Sequence, residues 1–199
     1  MRYFETKIED NRLLFSTVSA SDGFLEKFKP IFLKQIHSDI IIDLDQDPAQ
    51  IGDGLTTRRK NVALGVKAAD CLPVYLFSAD RIAIIHCGWR SIIKGILEKA
   101  ARLMGDYHFA LGAGIGPCCY DIQKDVADLF TKNFSSALDH RDHGIFLDLK
   151  KCVRGILGKD RLAGNLDLCV KCHPELFFSH RRGDVGKRNY AVIIKDSKQ

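Results

Sequence analysis

Cys71 and His86 stand in Ala69-Asp70-Cys71-Leu72-Pro73 and Ile85-His86-Cys87-Gly88-Trp89-Arg90, on either side of two short apolar runs. The runs, residues 74–77 and 82–85, are separated by Ser78-Ala79-Asp80-Arg81, a strand-turn-strand pattern. A turn centred on Ala79 and Asp80 sets Cys71 opposite Gly88, and His86 lies two residues back along the same strand. Side chains alternate faces with period two, so thiol and imidazole share a face as a diagonal pair. Such a pair at one end of a hairpin is either part of a metal site or a nucleophile with its base.

A catalytic zinc takes three protein ligands and keeps a fourth position open. The third ligand must be able to reach the pair, and His37, in Lys34-Gln35-Ile36-His37-Ser38-Asp39 at the junction of two strand-like segments, is a candidate. Three ligands scattered over the chain match no compact zinc pattern, and a structural histidine beside a buried thiol accounts for the same residues.

Other groups invite chemistry. Cys169-Val170-Lys171-Cys172-His173 matches the pattern of c-type haem attachment or half of a structural zinc site. There is no export signal for the first and no second Cys-x-x-Cys for the second. The adjacent Cys118-Cys119 pair is awkward for chelating one ion, so ordinary buried or loop cysteines are expected. The loop Gly112-Ala113-Gly114-Ile115-Gly116-Pro117 could bring the backbone N–H groups of Gly114 and Gly116 to a phosphate, or be a structural turn. Arg181 and Arg182 belong to a basic loop, residues 180–188, whose forks suit phosphate or carboxylate. Arg90, four residues from His86, is the better candidate for an arginine inside a site. Asp53, between Gly52 and Gly54, is a candidate proton-transfer carboxylate or a turn aspartate.

The elements that must position these groups are strands at 13–17, 30–35, 39–44 and 62–68, with a loop at 45–57. Apolar residues at 89, 92, 93, 96, 97, 100, 103 and 104 predict one helix over 89–104, ended by Gly105. Strand 109–111 feeds the glycine loop, and helices follow at 126–134 and 149–157, the latter capped by Asp148. Strands at 166–169 and 189–195 close the chain. Strands and helices mix without strict alternation, which predicts a layered α/β or α+β domain over residues 1–199.

The chain has 199 residues, 46% of them hydrophobic and 28% charged, enough for one ordinary core. No apolar stretch reaches membrane-spanning length, and the opening residues lack the apolar core of a signal peptide, so a cytoplasmic protein without membrane partners is expected. Seven cysteines then read as reduced thiols rather than a disulfide framework. A net charge of +5, spread along the chain, suits an anionic small molecule and argues against a nucleic-acid partner.

Gln35-Ile36-His37, Gly52-Asp53-Gly54-Leu55-Thr56-Thr57, Ala69-Asp70-Cys71-Leu72-Pro73-Val74, His86-Cys87-Gly88-Trp89-Arg90, Gly114-Ile115-Gly116-Pro117-Cys118-Cys119-Tyr120 and Phe178-Ser179-His180-Arg181-Arg182 occur in this order. Together they resemble the YfiH family of bacterial laccase-domain proteins, formerly labelled multicopper polyphenol oxidases. The resemblance implies a layered αββα sandwich and a zinc ion on His37, Cys71 and His86. It also implies a purine nucleoside enzyme: phosphorolysis of adenosine, inosine and methylthioadenosine, with phosphate as co-substrate, together with adenosine deamination. Arg90, Asp53 and Arg182 are then expected in catalysis, and Arg181, Gly114 and Gly116 in substrate binding. Ser91, His180 and Cys87 depart from the usual glycine, tyrosine and alanine of the family. A copper polyphenol oxidase is the rival enzyme. It fits poorly, because seven histidines include no His-x-His and the only methionines are Met1 and Met104. A metal-stabilised binding module is the non-enzymatic alternative. Oligomeric state is not legible.

Overall fold

Alternate residues of the same strand serve two different cores, which is why so many strands here are apolar on both faces. The computed structural model describes residues 3–197; residues 1–2 and 198–199, the ends of the expected domain, lie outside them. In chain order the strands are β1 (Tyr3–Ile8), β2 (Asn11–Ser16), β3 (Ile41–Asp43), β4 (Gly54–Thr57), β5 (Ala63–Ala68), β6 (Leu72–Phe77), β7 (Ile82–Cys87), β8 (His108–Leu111), β9 (Asp121–Ile122), β10 (Leu138–Arg141), β11 (Gly144–Leu147), β12 (Leu162–Asn165) and β13 (Asn189–Lys195). The α-helices are α1 (Ser21–Phe28), α2 (Trp89–Ile93), α3 (Ile96–Met104), α4 (Lys124–Phe134) and α5 (Leu149–Leu157).

An antiparallel sheet of order β1-β2-β13-β5 packs on a mixed sheet of order β12-β8-β6-β7-β4-β3, in which β12/β8 and β3/β4 are the parallel pairs. From β2 and β13, Leu13, Phe15, Ala191 and Ile193 enter the core between the sheets, whereas Leu14, Val192 and Ile194 pack on the opposite side with Phe24 of α1. On the outer side of the larger sheet, α3 packs on β7 and α5, adding Ile96, Leu97, Ala100 and Val153 to the core. Helix, sheet, sheet and helices thus form the αββα layers expected. The buried Tyr75 hydroxyl in β6 donates to the Leu14 carbonyl (2.8 Å), a polar tie between the sheets. A third sheet, β10-β11-β9, is small and antiparallel.

The β6–β7 hairpin has the expected register, from Leu72 opposite Cys87 to Phe77 opposite Ile82. Its turn closes with Ser78 N–H donating to the Arg81 carbonyl (2.9 Å). Asp148 caps α5 by accepting from Lys151 N–H (3.0 Å). Other expectations change. The helix expected over 89–104 is two helices, because Gly95 turns left-handed (φ +86°) between them. Segment 30–35 forms only the isolated bridges of Ile31 with Leu64 and Lys34 with Ile51, and 39–44 only the short β3. The expected loop 45–57 ends in β4, buried throughout. A side chain at Gly54 would meet Ile41 and Ile85 at 2.8 Å, so the glycine that looked like a loop residue is a strand residue under close approach. At 166–169 the chain makes only the Gly114–Cys169 bridge, the neighbouring strand being β12.

Lys195 is 1% exposed, and its ammonium donates to Asp10 Oδ1 (2.8 Å) and the Ser78 carbonyl (2.9 Å), fastening the hairpin turn to the end of β13. Removing one partner of a buried ion pair leaves an uncompensated charge, typically at a cost of about 3–5 kcal/mol. Asp10→Ala is expected to lose about 3 kcal/mol in urea unfolding, and Lys195→Met markedly less. Equal losses would show that packing, not the stranded charge, sets the cost.

Candidate metal centre and its pocket

Three parts of the chain deliver the donor atoms. Cys71 precedes β6, His86 lies in β7, and His37 sits in the loop before β3. The ligand atoms of the three side chains lie within 4.8 Å of one another. His37 Nε2 is 3.8 Å from Cys71 Sγ, and the two imidazoles meet edge to face with centroids 4.9 Å apart. His37 (φ +56°) and Asp70 (φ +91°), the residue before Cys71, are both left-handed. Non-glycine residues in such conformations cost of order 1–3 kcal/mol each and need a surrounding structure that imposes them.

Asp53 supplies much of that imposition for His37. It is 1% exposed, and its carboxylate accepts from the backbone N–H groups of Ile36 (3.2 Å), His37 (3.0 Å) and Ser38 (2.6 Å) and from Ser38 Oγ (2.7 Å). His86 Nδ1 completes the set at 2.9 Å. Burial opposes ionisation, but the bonds from His86 and Ser38 outweigh it and hold Asp53 well below the usual carboxylate range. An ionised carboxylate only accepts, so Nδ1 of His86 carries the proton and Nε2 is left as the donor atom for a ligand. This is the histidine–carboxylate arrangement that orients metal-binding imidazoles. Around Cys71, burial pushes the thiol up, yet the charge of His86 and hydrogen bonds from His37 and His86 bring it down overall. His86 is pulled down by burial and raised on balance by Cys71 and Asp53.

Gly88, opposite Cys71, completes the cradle. A Cβ there would stand 3.0 Å from Cys71 Sγ and 3.2 Å from His37 Cδ2. Gly88 thus leaves room where the three donor side chains converge. Two imidazoles, a thiol with thiolate character, a carboxylate behind one imidazole and space beside them fit a zinc ion of the kind that keeps an open position.

The trio borders a pocket of about 620 Å³, a size suited to a small organic ligand. Arg90, Arg181, Arg188, Lys34, Lys67 and His180 bring basic side chains to it, and Trp89 and Tyr120 bring aromatic ones. The Arg90 guanidinium lies over the Trp89 ring (4.3 Å to the centroid). Arg181 pairs with Asp121 (2.8 Å) and lies over Tyr120. Asp70 anchors that wall by accepting from Ser179 Oγ (2.6 Å) and Arg181 N–H (2.8 Å).

Four expected site residues lie elsewhere. Arg182 turns away: its guanidinium donates to the carbonyls of Val170 (2.9 Å), Lys171 (3.2 Å) and Phe177 and pairs with Asp184 (2.5 Å), leaving it no part in the pocket wall. Gly114 bridges to Cys169, and a side chain on it would meet the Asp70 carbonyl and Leu72 Cα at 3.2 Å, so it serves close packing. Gly116 spends its N–H on Cys169 Sγ (3.2 Å) rather than facing the pocket. Asp53 sits behind the ligands, every oxygen engaged, and not at the pocket surface. Of the departures, Cys87 is fully buried in the core, and the Ser91 hydroxyl is buried without a hydrogen-bond partner. Arg188 comes from the basic loop 180–188, whereas Lys34, Lys67 and Tyr120 are not singled out by the sequence. Of these three, Lys67 leaves a signal, as the one charge in the apolar run of β5.

The family described as multi-copper polyphenol oxidoreductase laccase matches residues 5–195 of the chain. A purine nucleoside phosphorylase from Aquifex aeolicus (strain VF5) is 30% identical over 169 residues, 80% of this chain and 80% of that protein. Purine nucleoside phosphorylase YfiH of Shigella flexneri is 28% identical over 180 residues, 83% of this chain and 73% of its own length. Among solved structures, a protein of Neisseria meningitidis matches with a TM-score of 0.84 at 22% identity, covering 99% of this chain and 100% of its own. That likeness carries the fold alone. The chain belongs to the multi-copper polyphenol oxidoreductase laccase family, the laccase-domain group that includes YfiH.

Proposed function

We propose that this chain is a zinc-dependent purine nucleoside phosphorylase, with adenosine deamination as a second activity of the same site. The observation that carries the reading is one pocket whose border holds a metal-fitting His37–Cys71–His86 trio and a surround of arginine and lysine side chains. The names of the relatives point the same way.

Phosphorolysis forms a bond from a phosphate oxygen to C1′ of the ribose as the bond from C1′ to the purine nitrogen breaks, its electron pair leaving with the base. The protein must therefore hold a polyanion against a neutral nucleoside and support charge on the departing purine. Arg90, kept in place by its stack on Trp89, presents a fork suited to two phosphate oxygens. Arg181 and Arg188 add positive charge from the neighbouring wall, and Trp89 and Tyr120 offer aromatic surface to a purine. When bound, zinc supplies Lewis-acid charge beside these groups. In deamination water replaces the amino group at C6 and ammonia leaves, with the sugar bond intact. Asp53 in this scheme is a positioning carboxylate. Copper is the weaker choice of ion: Met104, in α3, is not among the residues that line the pocket, so the described residues offer no axial methionine. No helix of the described chain is long and apolar enough to cross a membrane.

Adenosine, inosine and methylthioadenosine, each incubated with and without phosphate and resolved by chromatography, test the reading. Phosphate-dependent release of free base is expected, with phosphate-independent inosine and ammonia from adenosine. His86→Ala should lose both activities together with one zinc. Full turnover by zinc-free protein, or none on any of the three nucleosides, would contradict it. Asp53→Asn is expected to weaken zinc binding about 10–100-fold, as loss of a partner behind a ligand does. Unchanged zinc affinity with abolished turnover would instead make Asp53 a proton-transfer group.

A further inference from the structure

Four of the cysteines outside the pocket, Cys118, Cys119, Cys169 and Cys172, do not behave as ordinary loop thiols. The Gly114–Cys169 bridge brings the 118–119 and 169–172 segments side by side, and the Sγ atoms of Cys118, Cys119, Cys169 and Cys172 all lie within 4.8 Å of one another. Cys172 Sγ is 3.4 Å from that of Cys119 and 3.6 Å from that of Cys118. A tetrahedral ion with zinc–sulfur bonds of about 2.3 Å requires sulfur–sulfur edges of about 3.8 Å, inside this range. A disulfide requires about 2.05 Å, and all four thiols are free.

The adjacency of Cys118 and Cys119 is no obstacle, because the chain curls there. The N–H groups of Cys119 and Tyr120 both donate to the Gly116 carbonyl (3.0 Å each), so both neighbouring thiols reach Cys172. Opposite them, Cys172 N–H donates to the Cys169 carbonyl (3.2 Å), the tight turn of a Cys-x-x-Cys loop. Gly116 N–H donates to Cys169 Sγ (3.2 Å), a bond that favours a thiolate. We propose that Cys118, Cys119, Cys169 and Cys172 form a second metal site, closed and structural, that binds one zinc ion through four thiolates. Binding releases the protons the four thiols carry, at most four per ion.

The ion would brace the pocket from behind. Tyr120, next to Cys119, lines the pocket and supports Arg181, while Arg182 grips the 169–172 loop through the Val170 and Lys171 carbonyls. Clamping the two loops together fixes the wall that presents Arg181. This site uses no residue of the first trio, and the inference stands whether or not the chain acts on nucleosides.

Elemental analysis of the full chain, purified under reducing conditions and reconstituted with zinc, should give two ions per chain. His37→Ala should keep one. Cobalt(II) added to that variant should give the intense near-ultraviolet bands of thiolate-to-metal charge transfer, and Cys172→Ser in the same background should abolish them. Cys172 is exposed, so the substitution should leave the far-ultraviolet circular dichroism unchanged. In an otherwise wild-type chain, Cys172→Ser should keep the ion of the first site. No ion in the His37→Ala chain while all four thiols react with a thiol reagent would overturn the proposal. So would a mass showing disulfides among the four cysteines of the protein kept reduced.

Discussion

The carboxylate of Asp53 is buried where the loop bearing His37 meets the strands bearing His86, and it bonds to both. Placing a charge there is costly, and the cost is offset because every acceptor position is used: three backbone N–H groups, a serine hydroxyl and an imidazole N–H. The arrangement fixes two things at once. It holds the loop at 36–38, including the left-handed backbone of His37, and it selects the tautomer of His86 that leaves Nε2 toward the other ligands. The backbone joins in, since His86 N–H donates to the Asp53 carbonyl (2.7 Å).

A second aspartate does for the pocket wall what Asp53 does for the candidate metal centre. Asp70, adjacent to Cys71, bonds the Ser179 hydroxyl and the Arg181 N–H, so the turn that carries Arg181 is registered against the hairpin that carries the thiol. The site is thus assembled from segments distant in sequence, through buried acceptors rather than through a local motif. Its rigidity comes from the doubly covered sheet beneath, where β6 and β7 are buried along their whole length.

The hairpin was legible in the sequence because its register follows from one polar turn between two apolar runs, and with it the pairing of Cys71 and His86. His37 needed the family resemblance, since no local pattern tells a loop histidine that reaches a ligand site from one that does not. Asp53 was visible as a residue but not in its role: a glycine-flanked aspartate looks the same whether it faces substrate or is sealed behind a ligand. Arg182 lies away from the pocket border and donates to carbonyl oxygens, which suit the guanidinium's five donors as well as phosphate does. The helix break at Gly95 was hidden because the apolar spacing continues across it, both pieces pressing on the same core. The cysteine quartet was missed for a geometric reason. Adjacent cysteines diverge in an extended chain, and only the turn onto the Gly116 carbonyl brings them together.

Whether Asp53 poises His86 and His37 with Cys71 around one ion at the pocket border is decided by anomalous diffraction at the zinc edge from crystals of the zinc-loaded chain. A peak is expected about 2.3 Å from Cys71 Sγ and about 2.0–2.1 Å from one nitrogen each of His37 and His86, the His86 nitrogen being Nε2 with Nδ1 still on Asp53. No peak at this position in zinc-loaded crystals, or one bound through His86 Nδ1 with Asp53 displaced, would contradict it.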